Sequence, residues 1–253
     1  MISALLPRLL PEIGRQARTK RCSGLAIKPG VLDSPWSRAA DRERSQKEMA
    51  IIPTLETERL VLRPFCHHDA ADVTRLAGDR SVAAMTSNIP HPYEDGMAVE
   101  WISRHASEFE KEEGVAFAIT LKPDGMLVGA ISLMGMCKEH QAELGYWIGQ
   151  SYWGLGYCTE AAHEVLRYAF DVLRLSRVHA SHFAQNPASG RVQQKIGMRR
   201  EGCRRHHVKK WGHLVDLELY GILEEEWKAV ANQAMQRTRD KIGPDGRPVV
   251  ASR

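Results

Sequence analysis

Three apolar segments in close succession limit most what this chain can fold into. Ala116-Phe-Ala-Ile-Thr-Leu121 and Met126-Leu-Val-Gly-Ala-Ile-Ser-Leu-Met134 flank Pro123-Asp-Gly125. In that tripeptide proline presets φ, aspartate bonds its own backbone and glycine supplies a positive φ, which together make a tight turn. Two strand-length apolar runs about such a turn read as a β-hairpin. Gln141-Ala-Glu-Leu-Gly-Tyr-Trp-Ile148 is a third member of the same antiparallel run.

Around this meander, strand and helix patterns alternate. Arg59 to Phe65 alternates as a strand, and Asp69 stands where an N-cap would, ahead of Ala70, Val73 and Leu76. Glu94 to Lys111 places Val99, Ile102 and Phe109 at helical spacing, and Gly156 to Leu173 does the same with Ala161, Val165, Tyr168, Ala169 and Val172. Arg177 to Phe183 reads as a strand and Ala188 to Ile196 as a short helix. Two further strands, around Met198 to Arg204 and Leu214 to Leu223, are divided by Lys-Lys-Trp-Gly. The order β-α-α-β-β-β-α-β-α-β-β predicts a single α/β (α+β) domain over residues 55–231.

With 253 residues, 43% of them hydrophobic, the chain can bury one sizeable core, which excludes wholesale disorder. Its most apolar stretches are broken by Gly, charge or Trp well short of the roughly 18 residues a membrane helix needs, so no membrane span is expected. Cys22, Cys66, Cys137, Cys158 and Cys203 are scattered and odd in number, which argues against a disulfide framework or a zinc site and suits a cytoplasmic protein. The histidines show no metal-ligand spacing, so no metal is expected. Net charge is +4, and residues 1–48 hold ten basic residues against five acidic ones. Ile2 to Leu6 is too short for a secretory core, so 1–48 reads as a disordered basic extension or a misassigned start before Met49. Residues 236–253, with Gly-Pro-Asp-Gly-Arg-Pro, read as a flexible tail.

Chemistry concentrates at Ser151-Tyr-Trp-Gly-Leu-Gly-Tyr-Cys-Thr-Glu160, between an expected strand and a long expected helix. Backbone N–H groups of such a loop, together with the helix dipole, make an anion site, and a phosphate ligand is implied. The dinucleotide and Walker-type fingerprints are absent.

The string from Ala142 through Tyr157 to Ala161 resembles the acetyl-CoA motif of the GNAT superfamily of N-acetyltransferases. Asn186-Pro-Ala-Ser-Gly-Arg-Val-Gln-Gln-Lys-Ile-Gly-Met198 resembles that superfamily's second motif. Glu56-Thr-Glu-Arg-Leu-Val-Leu-Arg63 resembles the opening of its RimJ/RimL branch, whose namesakes acetylate ribosomal-protein N-termini. The resemblance covers about Leu55 to Ala231 and implies a mixed, mostly antiparallel sheet flanked by helices and splayed where acetyl-CoA binds. It further implies that Gly154, Leu155 and Gly156 hold the CoA pyrophosphate with Thr159. Tyr146, Trp147 and Ile148 would pair their backbone with the pantetheine arm, which Asn186 and Ser189 would bond. Where the family loop commonly begins with Gln or Arg, this chain has Ser151, with Gln150 adjacent.

Amine acetylation needs a neutral amine, a stabilised oxyanion and a proton for the departing thiolate. Glu143 matches the branch's glutamate before Gly-Tyr-Trp and is the expected general base. The second motif contains no Tyr, which leaves Tyr220 or a water as the acid. The implied activity is acetyl transfer from acetyl-CoA to a primary amine in a ternary complex. The acceptor would be a protein N-terminus or, alternatively, a polyamine, amino acid or antibiotic, with the choice set by Ser87 to Trp101 and Gly135 to Gln141. A non-catalytic acyl-CoA sensor is the rival reading. No nucleic-acid partner is expected, the chain acting as a monomer or homodimer. The basic run Arg204 to Lys210 is taken as a solvated strand end near the cofactor phosphates.

Overall fold

The structure, a computed structural model, describes residues 51–136 and 140–229. The expected extension over 1–48 and tail over 236–253 lie outside the described residues. Eight strands among those described form one mixed sheet. They are β1 (Leu55–Glu56), β2 (Leu60–Arg63), β3 (Gly114–Leu121), β4 (Leu127–Met134), β5 (Gln141–Ile148), β6 (Arg177–Phe183), β7 (Arg199–Lys210) and β8 (His213–Leu223). Across the sheet they run β1-β2-β3-β4-β5-β6-β8-β7. Neighbours are antiparallel except β5 and β6, which are parallel because the helical crossover between them returns the chain to the same end.

The expected hairpin is β3 and β4, closed by Leu121 N–H to the Met126 carbonyl at 3.0 Å, with Gly125 at φ +70°. Val115 to Thr120 are all buried, as a strand covered on both faces requires. One cover is built from α1 (Ala70–Ala77) and α3 (Met97–Glu110), whose Val73, Leu76 and Ile102 pack with Ala118, Leu127 and Trp147. The other is α4 (Tyr157–Arg167) and α5 (Pro187–Lys195), whose Ala161, Val165, Leu166 and Val192 pack with Phe117, Ile131 and Leu144. Fully burying side chains such as Phe117 and Ile131 contributes roughly 1.5–3 kcal/mol each.

Three expectations change. Asp69 precedes α1 but does not cap it. Its Oδ2 accepts from the Cys66 N–H at 2.9 Å and from Arg63 Nη1 at 2.8 Å, while Oδ1 accepts from Arg63 Nη2 at 2.8 Å. Burial alone would raise the Asp69 carboxyl, but these bonds outweigh it and hold it below its ordinary value. The long helix expected to Leu173 is regular only to Arg167, after which a wider turn over Tyr168–Val172 brings Tyr168, Ala169 and Phe170 into the core. A short helix, α2 (Arg80–Ala84), fills a stretch with no assigned element, capped by Asp79 on the Ser81 N–H. Among the described residues no helix is long and apolar enough to cross a membrane.

Candidate active site

β5 pairs with β4 from Glu143 to Ile148, yet pairs with β6 only from Gln141 to Glu143, opposite Arg177 to His179. Beyond that, β6 stays with β8 through Phe183, so Leu144–Ile148 have no strand on their β6 side among the described residues. This is the expected splay. Side chains alternate across it, so Tyr146 faces α5 while Glu143 and Trp147 face α1 and α3.

Glu143 stands at the closed end of the splay. Its Oε1 accepts from Ser181 Oγ at 3.1 Å, and His179 lies directly opposite on β6. Burial lowers the His179 pKa, and the Glu143 charge only partly opposes that, so the imidazole is neutral near pH 7. Neither His179 nor Ser181 stood out in the sequence, because only the β5–β6 register brings them to Glu143.

At the open end the chain turns through Gly154 and Gly156, at φ +78° and +83°, into α4. Among the described residues nothing lies within 4 Å of a Cβ built on Gly154, so the left-handed backbone, more than crowding, requires glycine here. The first N–H groups of α4 have no partner inside the helix and face outward with the positive end of the dipole. Leu155 is exposed and Thr159 half-buried. Gly156, Thr159, Glu160, Glu164 and Lys195 line a groove of about 510 Å³. Arg59 and Arg167 pair with its two carboxylates, which would otherwise repel a phosphate.

Arg59 was missed as a site residue. Its Nη1 donates to the Leu155 carbonyl at 3.1 Å, and its guanidinium lies over Tyr157, so the opening strand and the glycine loop are tied together. The contact spans about a hundred residues and leaves no local signal.

The expected cofactor-arm residues divide. Asn186 caps α5, its Oδ1 accepting from the Ser189 N–H at 3.2 Å, and Ser189 Oγ lies 2.8 Å from the Tyr146 hydroxyl. Burial raises the Tyr146 pKa. The Ile148 side chain is core, and its carbonyl accepts from Trp153 Nε1 at 2.7 Å. Trp147 packs in the α1–α3 cluster. Tyr220 is buried and bonded by Gln194 Nε2 at 3.1 Å. The Cys158 thiol is pushed up to about 12 by burial, which leaves no thiolate for nucleophilic work. Arg204 to Lys210 lies on the outermost strand, separated from β5 by β6 and β8, and not beside the glycine loop. Among the described residues no His, Cys, Asp or Glu cluster could hold a metal ion.

Residues 59–199, more than half the chain, match the acetyltransferase (GNAT) domain family. The chain belongs to the GNAT acetyltransferases. The N-acetyltransferase YnaD of Bacillus subtilis is 31% identical over 173 residues, covering 68% of this chain and 98% of YnaD. YdaF of the same organism, provisionally named a ribosomal N-acetyltransferase, is 32% identical over 137 residues, 54% of this chain and 72% of YdaF. A crystal structure of a GNAT-family acetyltransferase from Bacillus anthracis superimposes with a TM-score of 0.62 at 28% identity, covering 68% of this chain and 99% of that one. This GNAT chain is therefore an N-acetyltransferase with acetyl-CoA as cosubstrate.

Proposed function

We propose that this enzyme acetylates a protein N-terminal amine, with Glu143 as the base that frees the amine of its proton. Bound acetyl-CoA supplies an activated acetyl group and a thiolate leaving group. The observation that carries the reading is the splay with Glu143 at its closed end and the outward amides of Gly154–Gly156 at its open end.

Buried polar atoms test whether the cosubstrate fits. Gln193 is fully buried with neither carboxamide atom partnered, and His182 Nε2 is buried and unpartnered among the described residues. His182 Nδ1 lies 2.9 Å from the Phe183 carbonyl, which makes Nδ1 the donor there, and in a neutral ring Nε2 is then an acceptor. With Tyr146 and Ser189 they form a set of donors and acceptors beneath α5. A pantetheine arm, which carries amide N–H and C=O groups, meets that set. Gly154, Leu155, Gly156 and Thr159 would take the pyrophosphate, with Lys195 beside them.

A carboxylate placed as Glu143 is can accept the ammonium proton directly or through one water. Ser181 orients it. A protein acceptor is supported by the RimJ/RimL-like opening strand and by the provisional name of YdaF. The test is acetyl-CoA-dependent release of CoA thiol against N-terminal peptides, polyamines, amino acids and aminoglycosides, with Glu143→Gln alongside. Turnover of peptides that falls roughly 10²–10⁴-fold in the variant supports the assignment. Turnover confined to polyamines or aminoglycosides overturns the acceptor, and unchanged turnover in Glu143→Gln removes its role.

A further inference from the structure

Directly paired residues share a face of the sheet, as do residues two apart on one strand. From Glu143 that face passes through His179, Ser181 and Phe183 on β6 to Leu217 on β8, and from Leu217 to Arg204 on β7. Phe183, Val215 and Leu217 are buried along it as a small apolar cluster, with Val208 and Leu219 packed against them. Three strand spacings and four residues of offset put the Glu143 and Arg204 Cα atoms roughly 20 Å apart. Extended chain covers that in about six residues. The length of the Arg204 side chain, which by its pairing with Leu217 shares this face, shortens the gap.

The far end of this face is cationic. Between Arg204 and Val208 the β7–β8 register slips, so Arg205, His206 and His207 bulge opposite Asp216, whose Oδ1 accepts from the His206 N–H at 2.7 Å. The bulge holds His206 at φ +52° and leaves Arg205 and His207 exposed. Arg199, Arg200 and Arg177 are matched by Glu226, Glu218 and Glu201. Arg204, Arg205 and Lys209 are exposed and paired with no carboxylate among the described residues, as is Arg80 of α2 across the hairpin tip. Lys210 Nζ donates to the Ile89 carbonyl at 2.9 Å and fixes that tip against the 80–91 segment.

Resting on the reading of Glu143 as the site of proton removal, we infer that the acceptor is an extended peptide carrying acidic residues about three to six positions after its N-terminal amine, held by Arg204 and Arg205. Such a surface repels a polycation, so polyamines and aminoglycosides are poor acceptors. RNA fits less well. The exposed aromatic of the hairpin tip, Trp211, has Arg80 at 5.5 Å, Lys210 at 5.3 Å and His91 at 5.7 Å from its ring, leaving no bare platform for base stacking.

The experiment compares kcat/KM for three N-terminal peptides differing only at positions three to six, with Glu and Asp, Gln and Asn, or Arg there. The acidic peptide should exceed the neutral one by about tenfold at low salt, and the gap should close in 0.5 M salt, as screening requires. Arg204→Glu with Arg205→Glu should invert the order, and Arg205→Gln, a milder change, should reduce it. Lys228→Glu, a single charge reversal on the segment after β8, should preserve it. Equal kcat/KM for all three peptides overturns the inference while leaving Glu143 its role. So does binding of oligouridine that requires Arg204 when peptide turnover ignores charge. Silence with every peptide overturns both this inference and the N-terminal acceptor.

Discussion

Arg59 and Glu160 join through two points at once. The Arg59 backbone N–H donates to Glu160 Oε1 at 2.8 Å, and Nε donates to Oε2 at 2.7 Å. Thr57 Oγ1 adds a third bond at 2.6 Å. Burial would raise the Glu160 carboxyl, but the bonds from Thr57 and Arg59 prevail and hold it low. Arg59 also carries the Leu155 carbonyl, so the pair sets where the glycine loop begins.

Arg59→Ala should therefore act on cosubstrate binding more than on chemistry. The Arg59 side chain is 46% exposed, so a double-mutant cycle with Glu160→Gln should give a coupling of only about 1 kcal/mol in urea unfolding. The KM for acetyl-CoA should rise roughly three- to tenfold, the equivalent of about 1 kcal/mol, with kcat little changed. A fall in kcat at constant KM would mean that the pair does not set the loop.

Why some of this was legible in sequence and some was not follows from range. The β3–β4 turn is written in three adjacent residues, Pro123-Asp-Gly125, and Arg177–Phe183 appears with its expected bounds. Asp69 failed as a cap because Arg63, six residues earlier, competes for the same carboxylate with two geometrically matched bonds. β7 extends past Arg204 to Lys210 because a bulge, pinned by Asp216 ten residues away, lets an irregular basic stretch remain in the ladder. Glu143 could be named from its motif, whereas its neighbours His179 and Ser181 depend on a register that only three paired residues define.

The two loop glycines separate backbone strain from ligand approach. Gly154→Ala meets no neighbour but must hold φ near +78°, which costs about 1–2 kcal/mol of stability. Gly156→Val carries the same strain and also crowds Arg59 Nη2, 3.4 Å from a modest Cβ. It should weaken acetyl-CoA binding at least about tenfold by calorimetry, because a side chain there also stands over the outward amides. Normal affinity in Gly156→Val would place the phosphates elsewhere.

Gln193 should show a trade between stability and binding. An unsatisfied buried carboxamide costs about 1–3 kcal/mol, so Gln193→Leu should raise the melting temperature of the free enzyme by a few degrees. If those atoms serve the pantetheine arm, the extra stabilisation conferred by saturating acetyl-CoA should shrink in the same variant. A variant with an undiminished ligand-induced shift would show that Gln193 does not meet the cosubstrate.

His105 should give the fold an acid-sensitive side. It lies buried on α3 against Phe65 and Trp101, with neither ring nitrogen partnered among the described residues, and burial with the nearby Arg104 charge pushes its pKa down from 6.5 to about 4. The folded protein therefore keeps the ring neutral while the unfolded chain takes up a proton below pH 6.5. The stability this neutrality contributes is complete above pH 6.5 and is lost as the pH falls toward 4, at about 1.4 kcal/mol per pH unit. His105→Phe preserves the aromatic packing and removes the proton, so its unfolding free energy, measured by urea titration from pH 7 to 4.5, should decline less steeply than the parent's. Parallel curves for the two proteins would mean that His105 finds water or a partner when charged, and that the loss of stability in acid belongs to other groups.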